Sequence, residues 1–169
     1  MDRSGVLNAA FLNRERLSAD MGNLLVLAPH PDDESLGCGG LIALLRESGN
    51  SVTVIFVTSG SASHSSITHP ASILSKMREL EAIRACSVLG VRIKDIHFLR
   101  APDSKLGGLR ETALSLLAEE ITGVYERGYF SAIALPWRRD PHPDHQVVNT
   151  LGQRFLKNLP ENLIKLEYP

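Results

Sequence analysis

The residues with chemistry to offer lie in two short stretches. Residues 28–40 read APHPDDESLGCGG and supply His30, Asp32, Asp33 and Glu34, and residues 140–145 read DPHPDH and supply His142, Asp144 and His145. A catalytic zinc takes three protein nitrogen or oxygen donors and keeps a further position for water or substrate. Hydrolysis at such a metal also needs a base for the proton of water and a donor for the developing oxyanion. Together the stretches hold enough histidines and acids for all of these tasks.

His30, Asp33 and His145 are the expected ligands, a two-histidine, one-carboxylate set. Asp32 is the expected general base, taking a proton from the attacking water and passing it to the leaving amine. His142 is expected to donate a hydrogen bond or proton to the oxyanion, with Asp144, or failing that Asp140, holding its tautomer. Glu34 is expected behind the ligands, tying the turn together. One Zn2+ per chain is the expected ion. The same ligand set binds non-haem Fe(II), which makes Fe2+ the alternative. A simpler account has the acids sitting at helix N-termini for the sake of the dipole or as caps. It explains the acids but not two His-Pro-Asp tripeptides, each following its own strand.

The elements that must position these residues are legible as alternating patterns. Asn23–Ala28, Val52–Thr58, Asp95–Arg100 and Ala132–Pro136 are apolar runs of strand length. Helical periodicity marks Leu36–Glu47, Ile73–Leu89 (with Ile73, Met77, Leu80 and Val88), Leu109–Arg127 and Asp144–Leu159. Leu163–Tyr168 has the character of a last short strand. This order predicts an α/β, Rossmann-like three-layer sandwich: a mostly parallel sheet, core order 3-2-1-4, with helices on both faces. Strands one and four are then neighbours at the switch point, and the two stretches face each other across one crevice. Two long loops, Ser59–Ser72 and Ala101–Gly108, follow strands and should border that crevice. Arg78, in the helix after the first loop, is close enough to the edge to contact a substrate hydroxyl. His64 and His69 in that loop are expected to be solvated, and His97 to be a structural histidine of its strand.

Composition bounds the remainder. The 169 residues fit one domain at 23–169, preceded by an N-terminal extension, 1–22, expected to be helical. With 43% hydrophobic and 22% charged residues and a net charge of −1, the chain has no basic footprint for nucleic acid or a membrane surface. No run approaches the roughly 20 apolar residues of a membrane span. Cys38 and Cys86 form neither a C-x-x-C pair nor a disulfide framework, so they are expected as small buried hydrophobes in a cytoplasmic protein. The glycines of Leu36–Gly40 fail the G-x-G-x-x-G fingerprint, because its sixth position is Ile42. They are expected instead to let the first helix pack closely on the sheet.

On these residues the chain resembles the PIG-L/LmbE family of zinc-dependent N-deacetylases. The resemblance rests on APHPDDE at 28–34, TSGSASH at 58–64, R-x-x-E at 78–81, A-x-x-x-L-G at 85–90, PDSKL at 102–106 and HPDH at 142–145. It implies zinc on His30, Asp33 and His145, Asp32 as base and His142 as electrophilic partner. It adds Arg78 and Asp103 as holders of sugar hydroxyls. The implied substrate is a small N-acetylated amino-sugar conjugate of the N-acetylglucosamine type. Thr58-Ser59-Gly60 departs from the family's usual T-D-G, and Pro102-Asp103-Ser104 from its P-D-G. Relatives also continue past the point where this chain ends, at Pro169, with a segment that helps to wall the pocket. A neighbouring subunit in a homo-oligomer is another way to supply that wall.

Overall fold

The computed structural model describes residues 20–62, 70–156 and 163–169. Five strands, β1 Leu24–Ala28, β2 Val52–Thr58, β3 Ile96–Ala101, β4 Ala132–Pro136 and β5 Ile164–Tyr168, form one sheet in the order β3-β2-β1-β4-β5. Every pairing is parallel, so the expected 3-2-1-4 core is present with β5 added beside β4. The helices are α1 Asp33–Glu47, α2 Ala71–Val88, α3 Glu111–Glu126 and α4 Pro143–Leu156.

Continuous apolar sequence makes this sheet possible. Every residue of β1, β2 and β4 is buried, as a parallel sheet covered on both faces requires. The two-residue period of a strand then sorts the side chains. Leu24, Val26, Val54 and Phe56 meet Ile42 and Leu45 of α1 and Ala82 and Cys86 of α2 on one face. Leu25, Leu27, Ile55 and Leu135 meet Leu117 and Ile121 of α3 and Val148 and Leu151 of α4 on the other. Both cysteines are buried and their thiols are pushed up to about 12, chiefly by burial, so they act as inert packing. Among the described residues no helix is long and apolar enough to cross a membrane.

Several expectations need correction. The first helix begins at Asp33, not Leu36, so Asp33 and Glu34 occupy its first turn. The third strand is shifted by one residue because Asp95 closes a short 3-10 turn, Ile93–Asp95, beside Arg92. In α2 the apolar residues of the expected period do not face the core. Leu74, Ala82 and Cys86 are buried, whereas Ile73, Met77, Leu80 and Val88 are 42–88% exposed. The inner face therefore runs Leu74, Arg78, Ala82, Cys86 at four-residue spacing, and small residues let the helix lie close to the sheet. Of the glycines in α1, Gly37 packs closely, since a Cβ there would collide with the Tyr168 ring, while Gly40 faces open space. Tyr168 thus buttresses α1, and its hydroxyl donates to the Leu27 carbonyl at 2.6 Å. Apart from residues 20–22, the expected N-terminal extension lies outside the described residues, as do His64 and His69. His97 sits half-buried in β3, opposite Ile55.

Candidate metal centre

Strands β1 and β4 pair directly, with Val26 opposite Ala134, and both stretches leave the carboxyl edge of the sheet at that point. They border a cleft of about 350 Å³ whose lining includes His30, Asp32, Asp33, Arg78, Asp103, His142 and His145. Residues 114 positions apart in sequence come into hydrogen-bond contact here. Glu34 and Asp144, fully buried, stand behind the cleft wall and not on it.

Asp33 is the hub. Its Oδ2 lies 3.3 Å from His30 Nδ1 and 3.3 Å from His145 Nε2, and it accepts the His30 backbone N–H at 2.8 Å. Donors about 2.0–2.1 Å from a tetrahedral zinc stand about 3.3–3.4 Å from one another, so both separations suit a shared cation. His30, His142 and His145 also bring ring nitrogens within 4.8 Å of one another, which makes His142 a rival to Asp33 as third ligand. Its tautomer argues against it. His142 Nδ1 accepts the backbone N–H of Asp144 at 3.2 Å, so in the neutral ring the proton resides on Nε2. A protonated nitrogen has no lone pair for a metal but can donate to an oxyanion.

The carboxylates behind the histidines are arranged differently from the expectation. Asp144 does not hold His142 through its side chain. Its Oδ2 meets His30 Nε2 at 3.3 Å and accepts Ser104 N–H at 2.7 Å, while Oδ1 accepts Leu106 N–H at 3.1 Å. Asp140 braces His145 instead, with Oδ2 3.1 Å from Nδ1, close enough for charge attraction though off the hydrogen-bonding angle. Its Oδ1 accepts the His142 backbone N–H at 2.7 Å. Each expected histidine ligand thus has a carboxylate at its outer nitrogen, which keeps the inner nitrogen's lone pair for a cation. Spacing along the chain could not reveal this exchange, because Asp144 is aimed across the crevice by the first turn of α4. Asp103 Oδ1 is also 3.3 Å from His30 Nε2, and its Oδ2 accepts Ala62 N–H at 2.6 Å. It lines the cleft while tying down the start of the Ser59–Ser72 loop.

Asp32 faces the cleft from a strained position, with φ 143° and ψ −26°, which ordinary side chains avoid. Buried Glu34 accepts the Asp32 N–H at 3.0 Å across that strained turn. The Asp32 carbonyl accepts Ser35 and Leu36 N–H, and its side chain caps nothing. Its carboxylate is paired with Arg78 Nη2 at 2.8 Å. Helix capping therefore does not account for Asp32.

The charges of the centre are mutually supportive. Burial acts against ionisation of Asp33, but hydrogen bonds from His145 and His30 hold its carboxyl well below the usual carboxylate range. Burial lowers the imidazoles of His30 and His145, yet contact with Asp33, together with Asp103 and Asp144 at His30 and Asp140 at His145, more than offsets this and both are raised. Such clusters are pre-formed for a cation, which replaces the protons on the inner nitrogens.

Residues 25–156 match the sequence profile of the PIG-L family, described as GlcNAc-PI de-N-acetylase. The chain belongs to the PIG-L family. Diacetylchitobiose deacetylase of Thermococcus kodakarensis is 34% identical over 79% of this chain and 48% of its own length. The 2'-N-acetylparomamine deacetylase of Streptomyces fradiae is 33% identical over 80% of this chain and 52% of its own. The solved structure of N,N'-diacetylchitobiose deacetylase from Pyrococcus horikoshii superposes with a TM-score of 0.73 at 23% identity, covering 93% of this chain and 57% of that one. The chain therefore spans about half the length of these PIG-L relatives.

Proposed function

We propose that this chain carries the hydrolytic centre of a metal-dependent N-deacetylase that removes an acetyl group from an N-acetylated amino sugar of the N-acetylglucosamine type. The observation that carries the reading is the convergence on Asp33 Oδ2, 3.3 Å from a nitrogen of each of two histidines, with a half-exposed carboxylate and a donor histidine on the same cleft. His30, Asp33 and His145 would hold one divalent cation, with zinc the best match to two nitrogens and one oxygen. When bound, that ion would polarise the amide carbonyl and make the attacking water more acidic.

The chain's own groups supply the other steps. Asp32 accepts a proton from the water as its oxygen bonds to the carbonyl carbon, then delivers that proton to the amine nitrogen as the C–N bond breaks. His142 Nε2–H donates to the oxyanion, in a tautomer set by the Asp144 amide. Acetate and the free amine leave. The relatives' names support an amino-sugar substrate, since both curated deacetylases act on N-acetylated sugars by name. Metal analysis of the purified protein, paired with acetate release from N-acetylglucosamine conjugates, tests the reading. About one zinc per chain, with release lost on chelation and restored by zinc, is expected. Absence of bound metal after zinc loading would overturn the ligand assignment, and zinc without release would assign the chain a binding role.

A further inference from the structure

We infer that Arg78 is a positioning residue that fixes the carboxylate of Asp32, so that this base faces the reacting atoms in one orientation. The inference rests on the proposed role of Asp32 as the base.

Asp32 needs an external hold. Its backbone is strained, its side chain is 48% exposed, and it makes no capping bond. Among the described residues the one group that meets its carboxylate is Arg78, whose Nη2 donates to Oδ2 at 2.8 Å and also to the Pro31 carbonyl. The same nitrogen thus clasps the side chain of Asp32 and the backbone just before it. Arg78 is itself held from behind, since Nη1 donates to Glu81 Oε2 at 3.1 Å, one turn along α2. The grip is on Oδ2 alone, which leaves Oδ1 of Asp32 for the proton it must carry.

The helix is turned to allow this. Arg78 lies on the inner face with Leu74, Ala82 and Cys86, only 18% exposed, while Ile73, Met77 and Leu80 are left toward solvent. An arginine on a buried face in place of those apolar residues needs a compensating contact, and the catalytic turn supplies it. Gly60 closes the third side. At φ +63° it lets the chain after β2 approach so near that a Cβ would stand 2.9 Å from Pro31 Cδ and 3.4 Å from Arg78 Cβ. Pro31, Gly60 and Arg78 therefore form one packed unit around the turn that bears Asp32. Substrate contact alone would not require this arrangement.

The test uses zinc-loaded protein and the variants Arg78→Gln and Arg78→Lys, alone and combined with Asp32→Asn. Misplacing a catalytic group by about 1 Å can cost on the order of 100-fold. Arg78→Gln should lower kcat by about 10- to 100-fold with KM nearly unchanged and zinc retained, and Arg78→Lys should recover part of the loss. In the Asp32→Asn background the same change should have no further effect, because its target is gone. A raised KM with unchanged kcat, or full additivity with Asp32→Asn, would overturn the inference. If Asp32→Asn remains fully active, the base assignment falls instead. A crystal structure of Arg78→Gln decides the inference without turnover: the Asp32 carboxylate should occupy more than one rotamer while Asp33 stays in place, and an unmoved, single Asp32 rotamer would refute it.

Discussion

His-Pro-Asp occurs twice at this crevice, and the two copies do different work. In the first, the residue after proline is Asp32, half-exposed on the cleft at φ 143°. In the second it is Asp144, 1% exposed in the first turn of a helix and turned away to His30, Ser104 and Leu106. The histidines differ as well. His30 has its outer nitrogen on a carboxylate and its inner nitrogen toward Asp33, whereas His142 has Nδ1 closed by a backbone amide and Nε2 left to donate. In the proposed function one tripeptide would therefore provide a ligand with a base, and the other a donor with a brace. Backbone conformation sets the role, because it decides which way an identical side chain points.

The sharpest way to break this comparison is to remove each aspartate's charge. Asp32→Asn should lower kcat by about 10²–10⁴-fold with zinc content and Tm unchanged, as loss of general acid–base catalysis does. Loss of zinc from this variant, measured by metal analysis, would show that Asp32 ligates. Asp144→Asn should do the reverse: metal affinity falls by about 10- to 100-fold and Tm drops, while turnover at saturating zinc is largely kept. Competition with a chromophoric chelator measures the first effect and calorimetry the second.

The smallest effect concerns pH. In metal-free protein the raised imidazoles of His30 and His145 contribute stability that is complete below their ordinary value of 6.5 and lost as pH rises through their folded values. Depressed Asp33 contributes stability present above its ordinary 3.8 and lost as pH falls through its folded value. The metal-free protein should therefore lose Tm as pH rises above about 6.5, while zinc affinity rises over the same range because protons cease to compete. Parallel trends in the two measurements would contradict the shared-site reading.

Much of this was legible in the residues alone. The apolar runs at Val52–Thr58 and Ala132–Pro136 are strands with the expected bounds, and the sheet order brings the two stretches to one edge. Those features depend on local hydrophobicity and on the rules of parallel sheets, which act through composition and sequence order. The inner face of α2 was not legible. Ile73, Met77 and Leu80 have helical period and still face outward, while the inner face carries Arg78, which meets Asp32, with the small residues Ala82 and Cys86. Nor could the partners of Asp140 and Asp144 be assigned, since those contacts run to His145 and to the Ser104 and Leu106 amides.

Sequence by itself determined that this chain folds as a parallel α/β sandwich and that its chemistry gathers His30, Asp32, Asp33, His142 and His145 at the switch point. Tertiary structure alone decided which carboxylate supports which histidine, what grips Asp32, and which nitrogen of His142 donates. The reason is directional. Burial and periodicity are averages along the chain, but a hydrogen bond depends on where two particular atoms lie when elements more than a hundred residues apart meet.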